Sequence, residues 1–146
     1  MLRHVIVLLI CCVVPLVTGC NRENSTRLTT VSGVVKVNGQ PAEGLTVYFE
    51  APGGITSSGT TDESGRYQLN APDGRKGAEL GNHTVRIAGR QAGSEDSILA
   101  EMAAEKGKTI EELKRIPVIP GKYNENTKLS AQVQNGENTI NFDLEI

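Results

Sequence analysis

Cysteine is missing from most of this 146-residue chain, because its three cysteines all fall within the first twenty residues. Tryptophan is absent, and three tyrosines and two phenylalanines are the only aromatic residues. Glycine, in contrast, occurs 16 times. This composition is typical of short strands joined by tight turns rather than of a helical bundle.

Neither sign of charge dominates the chain. Fifteen lysines and arginines stand against seventeen aspartates and glutamates, giving a formal net charge of −2. Without a basic patch, nucleic-acid binding has no electrostatic support and is not predicted. The glycine-rich segment 72–83 matches neither phosphate-binding fingerprint, so no nucleotide cofactor is predicted.

The N-terminal segment has the layout of a secretory signal peptide. A short basic start at residues 1–4 is followed by an apolar run over residues 5–17. As a helix this run would rise only about 20 Å, too little for a bilayer core of about 30 Å. A basic start, a short apolar core and small residues before a cut are what a signal peptide requires.

The end of that segment, Val17-Thr18-Gly19-Cys20, resembles the lipobox of bacterial lipoproteins. In that family the cysteine sulfur receives a diacylglyceryl group, and the signal peptide is cleaved immediately before the cysteine. The resemblance implies a signal peptide over 1–19, lipidation of Cys20 and contact with a membrane through the anchor. Two or three acyl chains anchor a protein stably, whereas a single chain holds it only marginally. The alternative is an ordinary signal peptide followed by a chance cysteine.

Residues 20–28 are polar and lack periodicity, which predicts a lipidated tether. Asn21 follows the cysteine where some Gram-negative inner-membrane lipoproteins carry aspartate. By resemblance to that sorting rule, we expect the outer membrane or cell surface rather than the inner membrane. Lipidation of Cys20 and cleavage before it would leave no free thiol and only one histidine, His83. Cysteine chemistry is then excluded, and no metal site is predicted, because catalytic zinc normally needs three protein ligands.

The rest of the chain, 29–146, alternates apolar and polar residues, which predicts half-buried strands. The seven predicted strands cover 29–37, 44–51, 55–61, 66–71, 83–89, 128–134 and 138–146. Asn38-Gly39 predicts a hairpin turn between the first two strands, and 62–65 predicts a type I turn. The last two strands are joined around Asn135-Gly136. Their predicted inward side chains are Ile140, Phe142, Leu144 and Ile146.

One stretch, about 95–115, breaks the β pattern and predicts a short helical insertion. Ser94 is the predicted helix start, and Thr109 with Glu112 predicts a capping box for a second short helix that Pro117 ends. The first helix carries an apolar stripe of Ile98, Leu99, Met102 and Ala103. We weigh two interpretations: a lid or partner-docking face, and a surface insertion whose stripe packs on the β body, with the second favoured.

The segments "VSGVVKVNGQPAEGLTVYFEA", "GTTDESGRYQL" and "HTVRIAG" together are similar to carboxypeptidase regulatory-like (transthyretin-like) domains. With the lipobox, the chain looks especially like small planctomycete lipoproteins built on that domain. The resemblance implies an all-β, seven-stranded transthyretin/immunoglobulin-like sandwich over 29–146. It also implies an accessory, non-catalytic role, because the zinc carboxypeptidases that name the family carry catalysis on a separate domain. His83 departs from the family, which commonly has an aromatic residue such as tyrosine there.

We therefore expect a non-catalytic, lipid-anchored module of the cell envelope that binds a partner or has a structural role. Its partner would be an envelope protein or a polysaccharide. The alternative is a carbohydrate-binding module at the cell surface. Sugars usually stack on exposed aromatic rings, and Tyr48 and Tyr123 are the candidate platform because alternation places both phenylalanines on core faces.

Two further functions are weighed and disfavoured. A hydrolase could be written with Ser57 or Ser58, His83 and Asp62, but any chain of this size offers such triples. An isopeptide-linked adhesin needs a buried lysine, an asparagine and a catalytic acid. Lys36 and Asn141 lie on predicted strands, and by alternation both point outward.

Overall fold

A computed structural model of the protein describes residues 27–93 and 96–146. The predicted signal peptide, the lipobox residues Val17, Thr18 and Gly19, the lipidation site Cys20 and nearly all of the tether lie outside the described residues. The predicted helix start at Ser94 does so too. Within the described ranges, neither helix has the length and apolar character needed to cross a bilayer.

The described residues form a mostly β fold with two helices. The strands are β1 Leu28–Thr29, β2 Val31–Val37, β3 Gln40–Pro41, β4 Thr46–Glu50, β5 Thr56–Thr60, β6 Arg66–Gln68, β7 Ala78–Glu79, β8 Gly81–Ala88, β9 Ser130–Val133, β10 Asn138–Thr139 and β11 Phe142–Leu144. Each predicted strand segment overlaps at least one of them, although β8 begins two residues before the predicted 83–89. The predicted last strand is divided into β10 and β11.

Two main sheets enclose the core. In the first sheet, β2 is central: it pairs in parallel with β10 and β11 on one side and antiparallel with β3 and β6 on the other. The second sheet has the antiparallel order β5-β4-β8-β9. β1 and β7 form a separate two-stranded ribbon. Backbone hydrogen bonds between Ser58 and Asn70 join the two main sheets at one corner.

The predicted alternation is confirmed on the inner faces of both sheets. Val31 and Val35 of β2 are fully buried, as are Val47 and Phe49 of β4. Phe49 meets Phe142 edge-on across the core, with ring centroids 6.3 Å apart. Burying each such side chain stabilises the fold by about 1.5–3 kcal/mol, so this shared core holds the two sheets together.

The hairpin prediction at Asn38-Gly39 is right about the turn and wrong about the partner strand. Both residues have positive φ, 50° and 79°, as this tight turn requires. The returning arm is only β3, however, because the chain leaves the first sheet after Pro41, and β4 lies in the second sheet. The two last predicted strands likewise belong to different sheets, with β9 in the second and β10 in the first.

Ile146 was predicted to face inward, and this is wrong, since the residue is 49% exposed. β11 ends at Leu144, which is 1% exposed. Beyond it, the Ile146 carbonyl accepts a hydrogen bond from Asn38 Nδ2 at 3.3 Å, and the Ile146 amide donates one to Asn38 Oδ1 at 3.0 Å. The last residue is therefore held at the turn after β2 rather than in the core.

The predicted helical insertion consists of α1, Asp96–Lys106, and α2, Ile110–Arg115. The capping box is confirmed: the Thr109 amide donates to Glu112 Oε2 at 2.6 Å, and the Glu112 amide donates to Thr109 Oγ1 at 3.2 Å. Leu99, Ala103 and Leu113 form a small cluster that Ile116 connects to the main core. This supports the packed-insertion interpretation, although Ile98 of the predicted stripe is 50% exposed.

The helices lie at the end of the body opposite β1. β7, the partner of β1, is followed after one residue by β8, which runs away from it for eight residues, or about 26 Å. The helical insertion follows the far end of β8. The described chain therefore begins at one pole and carries its helices at the other.

Candidate functional site: a polar groove on the first sheet

In the first sheet, the main-chain hydrogen bonds between β2 and its parallel neighbour are interrupted between β10 and β11. We call this interruption the break. β10 and β11 pair with β2 in one register, Thr139 opposite Ser32 and Phe142 opposite Val35, so no residue is inserted between them. The main-chain ladder is nevertheless interrupted. The Val34 amide donates to the side-chain Oδ1 of Asn141, at 2.9 Å, in place of a backbone carbonyl.

Gly33 and Tyr67 explain this break. A side chain on Gly33 would collide with the carbonyl oxygen of Ile140, so only glycine leaves room for that carbonyl to turn inward. The Tyr67 hydroxyl donates a hydrogen bond to the same oxygen, 2.6 Å away. Burial raises the pKa of Tyr67 far above its ordinary value, which keeps the hydroxyl protonated as a donor.

Two adjacent depressions of about 430 and 410 Å³ lie over this break and share Val34 and Asn141. We call the combined surface the sheet-one groove. Its outward-facing residues are Ser32, Val34 and Lys36 of β2, Arg66 and Gln68 of β6, and Thr139, Asn141 and Asp143 of the last strands. Asp62, in the turn before β6, borders it.

Strand pairing orders these side chains into rows. Gln68, Ser32 and Thr139 form an uncharged row near the start of β2. Lys36 and Asp143 lie opposite each other near its end. The groove therefore runs from an amide and hydroxyl end to a charged end, with the fixed amide of Asn141 between them.

The charged residues of the groove are not paired with one another. Asp62 Oδ1 accepts from the amides of Ser64 and Arg66, each at 2.9 Å, and Asp143 Oδ1 accepts from the Gly39 amide at 3.2 Å. Among the described residues, the second oxygen of each carboxylate has no hydrogen bond or ion pair. Within residues 27–93 and 96–146, neither Lys36 nor Arg66 forms a side-chain ion pair or hydrogen bond.

Tyr48, one half of the predicted platform, lies on the outer face of the second sheet, where its neighbours cover it. The Arg86 guanidinium lies 4.9 Å from the centre of the Tyr48 ring. It also donates to Glu50 Oε1 at 2.5 Å and to Asn124 Oδ1 at 3.3 Å. A cation over the ring is a favourable contact, so a sugar would have to displace Arg86 to stack on that face.

Tyr123, the other half, is half-buried against the main core. Its hydroxyl donates to the Glu145 carbonyl at 3.2 Å and accepts from the Glu145 amide at 3.0 Å. Lys122 Nζ lies 4.7 Å from its ring centre. No ring contact pairs Tyr123 with Tyr48 in the described ranges.

The serine, histidine and aspartate of the hydrolase alternative are separated. His83 is 2% exposed, and its Nε2 is hydrogen-bonded to the Glu79 carbonyl at 2.9 Å. Its Nδ1 has no hydrogen-bond partner among the described residues. Ser57 is also buried, and its hydroxyl has no hydrogen-bond partner among the described residues. It lies opposite Phe49 in the β4–β5 register, and the Phe49 ring contacts the His83 ring. Asp62 is held in its own exposed turn. The described part of the chain holds no cluster of three metal-ligating side chains.

Sequence reasoning missed the sheet-one groove. Lys36 and Asn141 were predicted to point outward, and both are exposed, but nothing linked them to Arg66, Gln68 or Asp143. The signal that was present is Gly33, a lone glycine among valines, since glycine within a strand marks a bulge or a close backbone approach.

No protein-family model matches this chain, and no curated protein shows significant sequence similarity to it. Function is therefore inferred from the sequence pattern and from the geometry of the groove.

Proposed function

We propose that this protein is a non-catalytic, lipid-anchored module of the bacterial cell envelope that binds a partner or contributes to envelope structure. The observation that carries the proposal is the sequence around Cys20. A lipobox-like Val17-Thr18-Gly19 follows a short apolar core, and no cysteine occurs after residue 20. Lipidation of Cys20 accounts for the only cysteine that would remain after cleavage.

We further propose that residues 29–146 are a transthyretin/immunoglobulin-like sandwich of the carboxypeptidase regulatory-like type. One observation supports this: two β sheets share one core. The helical insertion between β8 and β9 is longer than a minimal domain of this type needs. In such a protein the domain acts as an accessory unit, for binding or display, rather than as a catalyst.

The anchor would orient the domain. Residues 21–27 reach at most about 25 Å, and the described fold begins at β1. The β1 pole would then face the membrane, and the helices would face away from it. The groove, on the side of the first sheet, would remain accessible from the envelope. The outer membrane or cell surface is the proposed location, with an envelope protein or polysaccharide as partner.

Metabolic labelling with an alkyne fatty acid tests the anchor. We expect label on the wild-type chain and on Cys12→Ser, a matched control within the signal peptide, and loss of label in Cys20→Ser. Label retained by Cys20→Ser, or absent from the wild type, would contradict lipidation at Cys20.

Carbohydrate binding at the cell surface is the second candidate function. The observation that favours it is the sheet-one groove, which presents amide, hydroxyl and charged side chains without internal ion pairs. The Tyr48 and Tyr123 platform is the other possible location on this chain. Binding that survives Tyr48→Ala would favour the groove, and binding abolished by Tyr48→Ala would favour the platform.

A further inference from the structure

We infer that the sheet-one groove binds a neutral, hydroxyl-rich glycan chain, with Asn141 as its central hydrogen-bond donor. This inference rests on the second candidate function, carbohydrate binding, and places it on residues that sequence reasoning did not select. It names the ligand class by the charge, the hydrogen-bonding groups and the shape of the groove.

The charge of the groove favours a neutral ligand. Lys36 and Arg66 supply two positive charges, and Asp62 and Asp143 supply two negative charges. A polyanion such as a uronate chain would meet both carboxylates, and a polycation would meet both cations. An uncharged ligand avoids both repulsions and can still accept charge-assisted hydrogen bonds from the cations or donate them to the open carboxylate oxygens.

Asn141 is fixed in position to donate. Its Oδ1 is occupied by the Val34 amide at 2.9 Å, which orients the side chain and leaves both Nδ2 hydrogens for other partners. The residue lines both depressions. A ligand that crosses from one depression to the other therefore passes a donor that loses little freedom on binding.

The surrounding groups suit hydroxyls. A sugar hydroxyl both donates and accepts, and the row of Gln68, Ser32 and Thr139 offers donors and acceptors side by side. At the other end, Asp143 accepts and Lys36 donates. Paired donor and acceptor groups of this kind match the adjacent hydroxyls of a sugar ring.

Among the described residues, the two aromatic rings nearest the groove are packed against each other, which favours a chain over a single sugar as the ligand. Tyr67 is 3% exposed, and Phe142 stacks on it with ring centroids 6.5 Å apart. Without stacking, each sugar contributes only hydrogen bonds, each of which adds little to the affinity. Two adjoining depressions of about 400 Å³ each give room for several units, so we expect affinity to rise with chain length.

The break in the main-chain ladder beneath the groove depends on the contacts of three residues. Gly33 makes space, Tyr67 bonds the turned carbonyl of Ile140, and Asn141 replaces a main-chain acceptor. A regular strand would satisfy the same groups with ordinary side chains. A glycine inside a strand often marks a place where another backbone segment or a ligand approaches closely.

The test uses the full-length lipidated protein in phosphatidylcholine vesicles. The neutral probes are malto-, cello- and manno-oligosaccharides of increasing length, with alginate and chitosan as the anionic and cationic probes. We expect at least one neutral series to bind, with affinity increasing with length, and weaker binding of both charged polymers. Asn141→Ala and Gln68→Ala should each lower that affinity, Asn141→Ala by about tenfold.

Gln68→Ala keeps the test valid if Asn141→Ala folds poorly, because the Gln68 side chain is exposed and has no described hydrogen bond. Gln132→Ala, at an exposed glutamine of β9 on the second sheet, is the matched control and should leave the affinity unchanged. The inference is overturned if no neutral series binds, if alginate or chitosan binds more tightly, or if both groove variants bind like the wild type. None of these results would alter the fatty-acid labelling of Cys20, which decides the anchor separately.

Discussion

The outer faces of the two sheets both arise from alternating apolar and polar residues, but they differ in whether their charged side chains have partners. On the second sheet, Arg86 pairs with Glu50 at 2.5 Å and covers Tyr48, so the Arg86 guanidinium already has partners within the protein. On the first sheet, Lys36 and Arg66 have no side-chain partner in the described ranges. Alternation determines which side chains face outward, whereas contacts among neighbours determine which of them remain available to a ligand.

The largest expected effect comes from removing the space that forms the groove. Gly33→Val places a branched side chain against the Ile140 carbonyl and the Tyr67 ring. We expect a loss of about 3 kcal/mol or more in the free energy of unfolding, measured by chemical denaturation. Ser32→Ala, outward on the same strand, is the control and should change stability by less than about 0.5 kcal/mol. Wild-type stability in Gly33→Val would mean that the break in the last strand does not depend on glycine.

Tyr67→Phe should have the next largest effect. It leaves the Ile140 carbonyl without its 2.6 Å hydrogen bond in a part-buried site, which costs about 1–3 kcal/mol. Tyr123→Phe is the matched control on a half-buried ring, and we expect a smaller loss there because water can replace the hydroxyl. Equal losses in the two variants, measured in the same denaturant, would contradict a special role for the Tyr67 hydroxyl.

Replacing Arg86 or Arg66 with alanine tests the contrast between the two outer faces. Arg86→Ala removes an ion pair and a cation–ring contact, so we expect a stability loss of about 1 kcal/mol and no change in glycan binding. Arg66→Ala removes an unpaired cation, so we expect less than about 0.5 kcal/mol of destabilisation and weaker glycan binding. Thermal unfolding and binding measured on both variants check the pattern, and the reverse pattern would refute the comparison.

The smallest effect concerns α2, away from both faces. The hydrogen bond from the Thr109 amide holds the pKa of Glu112 below its usual range. A carboxyl with a lower pKa in the folded state stabilises above the ordinary carboxyl pKa and loses that contribution as the pH falls through the lowered value. In an NMR titration, the Thr109 amide should follow Glu112 at a pH below that of an ordinary glutamate. Glu112→Gln should abolish this step, and titration at the ordinary value would contradict the capping interpretation.

Local pattern predicted much of the fold. Period-two alternation predicted half-buried strands, and Val31, Val35, Val47 and Phe49 are buried in them. Capping chemistry predicted the start of α2. These features depend on neighbouring residues, which a sequence displays directly. The sheet that each strand joins depends on contacts far apart in the chain, so the transfer of β4 to the second sheet was not predicted.

The groove was missed for the same reason. It requires Gly33, Tyr67 and Asn141 to meet across three strands, with sequence separations of 107 residues for the Val34–Asn141 hydrogen bond and 73 for the Tyr67–Ile140 bond. Each residue alone has an ordinary explanation in its own strand. Only their pairing shows why glycine, tyrosine and asparagine occupy those positions.

The most direct test of the central claim is an NMR titration of the labelled protein with each of the neutral oligosaccharide series. The account predicts that the Val34 amide and the Asn141 side-chain amide shift together, while the amides of Tyr48 and Arg86 on the second sheet do not. Shifts confined to the second sheet, or no shift at Val34 and Asn141 with any of the series, would contradict it.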